Sequence, residues 1–106
     1  MASGSVLQAP RIVFIPLTNV TINSSGTTDL DLASYIPNGY GLWSVNVTIA
    51  SGGNFYQLPW LNANGQSTRV EMAPISSSQL TKIRIRDFVG GWGTTSVYIT
   101  AFLKHT

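Results

Sequence analysis

Hydrophobic and polar residues alternate with a period of two along most of this chain, and Gly, Asn, Pro and Ser cut the alternating runs at short intervals. Successive strand residues point to opposite faces, so this pattern predicts half-buried β-strands separated by turns. LWSVNVTIA predicts the clearest strand, with Trp43, Val45, Val47 and Ile49 on one face and Ser44, Asn46 and Thr48 on the other. In RVEMAPI, Val70 and Met72 point inward and Arg69 and Glu71 outward; in TKIRIRDF, Ile83 and Ile85 oppose Lys82, Arg84 and Arg86. The opening RIVFIPLTNVTIN reads as a strand over residues 11–15, bent at Pro16 into a second that turns Val20 and Ile22 to the core. Pro16 lacks an amide hydrogen and belongs at an edge or a bulge. Leu30, Leu32 and Ile36 form a short apolar stretch before Asn38-Gly39, which marks a tight turn. SGGN, NANGQS and SSSQ supply further turns, and helical periodicity is hard to find. The expected fold is all-β: one antiparallel, jelly-roll-like β-sandwich of seven or eight strands over residues 11–106, after a flexible or added start over residues 1–10.

The last strand, TSVYITAFL, breaks the alternation. Val97, Ile99, Ala101 and Leu103 occupy one face, while Tyr98 and Phe102 make the other apolar as well. One face fills the core, and the second asks for a partner, which makes Tyr98 and Phe102 the expected contacts between copies of the chain. Composition points the same way. Hydrophobic residues are 43% of the chain and charged residues 9%, against a usual charged fraction of about 25%. So few charges leave Ser, Thr, Asn and Gly, or bound partners, to cover the surface.

Six basic against four acidic residues give a net charge of +2, not the dense basic field of a nucleic-acid binder, and no recognition helix is visible. Cysteine is absent, which removes disulfides and thiolate metal sites. No apolar run approaches the length of a membrane-spanning helix. Catalytic candidates are few. The acids are Asp29, Asp31, Glu71 and Asp87, and the single histidine, His105, lies one residue from the end, where chains fray. A Ser–His–Asp arrangement would need that histidine held rigidly. Asp29 and Asp31 share one face beside a turn, where glycoside hydrolysis needs two acids across a cleft, and DLD lacks the glycine-spaced loop of a calcium site. No catalytic residue, metal or cofactor is expected.

Aromatic residues carry more chemistry. Their flat apolar faces and polar tips suit sugar rings and interface anchors. Trp43 is in phase with Val45 and Val47 and is expected in the core. Trp60 is in phase with Tyr56 and Leu58, which leaves core and exposed face both open. Trp92 stands among Gly90, Gly91 and Gly93, either contacting a ligand or folding back as a plug over the sandwich end. With the amides of Asn62, Asn64 and Gln66 it makes the candidate saccharide site. Lys82, Arg84 and Arg86, about 7 Å apart along one strand face, are either a line of contacts for an anionic polymer or a solvated outer face that discourages edge-to-edge pairing. Asn-x-Ser/Thr triplets begin at Asn19, Asn23 and Asn46, and chance explains them in a chain this rich in Ser and Thr.

The C-terminal half, FYQLPWLNANGQSTRVEMAPISSSQLTKIRIRDFVGGWGTTSVYITAFLKHT, resembles the C-terminal receptor-binding domains of bacteriophage tail-fibre and baseplate proteins. An LP(Y/W) strand, a strand alternating basic and apolar residues, a GWG loop and a terminal VYIT strand followed by Lys occur in that order. The resemblance implies a small non-catalytic β-sandwich at the tip of a homotrimeric fibre on the virion, binding saccharide on a bacterial surface outside the cell. The alternative is a structural virion or fibre-assembly domain whose apolar faces all serve self-association.

Overall fold

A computed structural model describes residues 11–72 and 80–105. The expected start over residues 1–10 and the SSSQ turn therefore lie outside the described residues. Eight strands follow one another: β1 (Arg11–Ile22), β2 (Thr27–Asp31), β3 (Tyr40–Ser51), β4 (Asn54–Gln57), β5 (Trp60–Leu61), β6 (Ser67–Glu71), β7 (Lys82–Asp87) and β8 (Gly93–His105), with one short 3-10 turn over Ala33–Tyr35. They form two four-stranded sheets, in the orders β1-β8-β3-β4 and β2-β7-β6-β5. Every pairing is antiparallel. First pairs with last and second with next-to-last, as in a jelly roll, while β3–β4, β5–β6 and β6–β7 pair as sequence neighbours, and the expected β-sandwich is the observed fold.

Alternation builds the core. Val97, Ile99, Ala101 and Leu103 of β8 meet Ile15, Val47 and Ile49 on one inner face, and Ile83 and Ile85 come from the other sheet; all are buried. The segment expected as two strands about Pro16 is one strand, interrupted by a bulge between Leu17 and Val20 at which Asn19 adopts φ 57°. β1 is a sheet edge. The proline and the bulge blunt that edge against pairing with other chains.

One core assignment is corrected. Trp43 is 60% exposed, while Leu42 is buried. The β3–β8 register shifts between Leu42, opposite Leu103, and Ser44, opposite Phe102. The bulge inserts one residue, Leu42 takes the inward phase that alternation assigned to its neighbour, and Trp43 is left on the surface. Among the described residues no helix is long and apolar enough to cross a membrane.

The two outer faces differ in chemistry. β2, β6 and β7 present charges that pair across strands: Arg84 holds Asp29 with two hydrogen bonds of 2.7 and 3.1 Å, and Arg86 holds Glu71 with two of 2.9 and 3.1 Å. On the other sheet the outward positions are mostly hydroxyls, amides and large apolar groups, with Lys104 at one end.

Candidate functional site: an aromatic cleft at one end of the sandwich

The chain leaves β4 for the other sheet through a cis Leu58–Pro59 peptide and enters β5 at Trp60. Trp60 pairs with Thr68 on β6, and Thr68 pairs with Asp87 at the end of β7. The glycine loop that follows brings Trp92 back over these residues. Tyr56, Trp60 and Trp92 then form a mutually edge-to-face trio, with ring centroids 5.0 to 5.5 Å apart and planes 71° to 75° apart, an arrangement that the aromatic quadrupole favours. Ser51, Val89, Gly90 and Gly91 join the three rings around a cleft of about 180 Å³.

A buried carboxylate holds the loop. Asp87 is fully buried. It accepts hydrogen bonds from Thr68 Oγ1 at 2.8 Å, Val89 N at 2.9 Å, Gly90 N at 3.0 Å and Trp92 Nε1 at 3.2 Å. Trp92 Nε1 also lies 2.9 Å from Thr68 Oγ1. Gly90 has φ +79°, and a Cβ there would sit 2.8 Å from Ser24 Oγ, so any other residue would be strained and would have to displace the Ser24 side chain.

Trp92 folds back over the sandwich end, its indole 9% exposed and its N–H spent inward, and one side of it forms a wall of the cleft. Trp60 is half-buried beside it. Asn62, Asn64 and Gln66 are not brought into this cleft. Asn62 Oδ1 accepts from Asn64 N and Gln66 N, both at 2.9 Å, and Asn62 Nδ2 donates to Gln66 Oε1 at 3.1 Å, so the Asn62 and Gln66 side chains staple their own turn. Lys82, Arg84 and Arg86 do share one outer face, with the two arginines bound to carboxylates and Lys82 in register opposite Asp31. Tyr98 and Phe102 lie on the outer face of the other sheet. Comparisons with family models, curated proteins and solved structures find no significant match.

The sequence left Trp60 undecided, gave Gly90 and Gly91 only as the surroundings of Trp92, and passed over Ser51 and Val89. The signal for the glycines was present in VGGWG: a tryptophan among residues free to take positive φ is one the backbone can fold back over the sandwich. Ser51 is brought in by the β3–β4 hairpin, where it pairs with Asn54. Among the described residues no group of three or more His, Cys, Asp or Glu could hold a metal ion.

Hydrogen bonds from Arg84 and Arg86, reinforced by their charge, hold the Asp29 and Glu71 carboxyls below their ordinary pKa values. A carboxyl whose pKa is lower folded than unfolded adds stability that is fully present above its unfolded value, near 4, and is lost as pH falls through the folded value. Asp29→Asn with Glu71→Gln should therefore be slightly less stable than the parent at neutral pH, since exposed pairs are screened. The gap should close below about pH 4, as followed by thermal melts across that range.

Proposed function

We propose that this chain is a non-catalytic receptor-binding domain of the bacteriophage tail-fibre or baseplate kind, acting outside the cell as a homotrimer on the virion and recognising a bacterial surface saccharide. The observation that carries the reading is the aromatic cleft. A sugar ring presents apolar C–H patches together with hydroxyls, so it needs aromatic walls and neutral groups that donate and accept. Tyr56, Trp60 and Trp92 supply the walls, and Ser51 and the Gly90–Gly91 backbone the polar groups. At about 180 Å³ the cleft is smaller than the ~300–1,000 Å³ sites that enclose drug-sized ligands, which suits one ring of a longer chain and weak affinity per site.

Trp60 is the residue to test, because truncating Trp92 would also strip two buried hydrogen bonds. Binding of purified surface glycan by Trp60→Ala should fall about tenfold, the worth of a good aromatic contact. Arg84→Ala should bind as the parent does at low and high salt, because the cations of that face do not make the contact. If the folded parent bound no surface glycan, the structural fibre-assembly reading would take its place, and the apolar outer face of the β1-β8-β3-β4 sheet is the observation that favours it.

A further inference from the structure

We infer that the outer face of the β1-β8-β3-β4 sheet is the surface through which copies of this chain contact one another. Ile12, Phe14, Trp43 and Phe55 are 60 to 72% exposed, and they stand with the half-exposed Tyr98 and Phe102 on the same side of the sheet. The six form a continuous patch by register and contact. Ile12 is opposite Phe102, Phe14 stacks on Tyr98 at 6.2 Å with planes 8° apart, Phe55 lies 6.3 Å from Tyr98, and Trp43 sits in the bulge at the level of Phe102.

Charge selects the occupant. The outward positions between these residues are Pro16, Ser44, Asn46, Thr48, Gln57, Ser96 and Thr100, none of them charged, and Lys104 is the first charge reached at one end. The other sheet carries Asp29, Asp31, Arg69, Glu71, Lys82, Arg84 and Arg86 on its outer side. An uncharged face gains nothing from a charged one, whose ions it would desolvate. The same face of another copy offers matching apolar area and hydroxyls, and closed assemblies of identical chains are the common solution.

Size agrees. β1, β8 and β3 are 12, 13 and 12 residues long. At about 3.3 Å per residue and 4.8 Å between strands they span roughly 600 Å² in projection, and side-chain relief adds to that. A stable interface takes about 800 Å² from each partner, and apolar patches of several hundred Å² mark contact sites.

The test is the mass in solution of the full chain, by light scattering and sedimentation across the micromolar range. The parent should run as more than one copy. Phe14→Asp with Phe102→Asp should run as a single chain with the parent's circular dichroism, and Arg69→Glu on the opposite sheet should keep the parent's mass. Should the aspartate pair fail to fold, Phe14→Thr with Phe102→Thr removes the same apolar area with a residue that strands accept. A parent that stays a single chain at every concentration, or face variants that keep the parent's mass, overturns the inference. A two-copy parent that the variants dissociate upholds this contact and overturns only the three-copy part of the proposed function.

Discussion

Asp87→Ala is expected to cost the domain about 3 kcal/mol, the cost of leaving buried and part-buried donors without their acceptor. The carboxylate is fully buried and accepts from Thr68, Val89, Gly90 and Trp92 at once. Alanine leaves two backbone amides and a hydroxyl without this acceptor, and the indole N–H with Thr68 Oγ1 alone. Domains of this size are stable by about 5–15 kcal/mol, so the loss takes a large share of the total. Asp87→Asn should recover part of it, because one carbonyl oxygen remains to accept while the new amide faces other donors. Thr68→Val should cost less than Asp87→Ala, since it removes the hydroxyl's two links, to Asp87 and from Trp92, and keeps the carboxylate with its backbone donors. Urea titration read by tryptophan fluorescence would order the three. A midpoint for Asp87→Ala within experimental error of the parent's would mean that the glycine loop is not held by this carboxylate.

The contrast between Asp87 and the other acids shows where the sequence was legible. Strand alternation placed Ile83, Ile85, Val97, Ile99, Ala101 and Leu103 correctly, because burial on one face of a strand is written locally, at every second residue. The same rule failed at Trp43. A bulge is set by the pairing of β3 with β8, and nothing in LWSV marks the inserted residue. Asp87 was indistinguishable in sequence from Asp29 or Asp31, yet its donors come from β6, the loop and Trp92, groups that only the tertiary fold brings together. The partners of Asn62 and Gln66 were hidden for a related reason: the turn uses Asn62 Oδ1 on its own backbone and joins the Asn62 and Gln66 side chains to each other. The doubly apolar β8 was visible in sequence, but Ile12, Phe14 and Phe55 join Tyr98 and Phe102 only through strand register.

Separating the copies without touching the cleft should reduce attachment to whole target cells by about 10²–10⁴, while binding of a single soluble glycan stays as in the parent. The substituted residues are far enough from the cleft for this to be a clean experiment. Phe102 is opposite Ser44 at one end of β3, and the cleft takes Ser51 from the other end, about 23 Å away at the rise of a strand. Phe14→Asp with Phe102→Asp therefore alters the outer face and leaves Tyr56, Trp60 and the glycine loop in place. A cleft that holds one ring gains little per site, so useful attachment must come from several sites acting on one surface, where each later contact forms at the high effective concentration set by the first. Trp60→Ala is the converse variant: it weakens each site about tenfold and keeps the assembly, so both soluble and cell-surface binding fall. Equal attachment to cells by the parent and the single-chain variant would show that the copies do not act together. Loss of soluble-glycan binding in that variant would place the ligand at a boundary between copies instead of within the cleft of one.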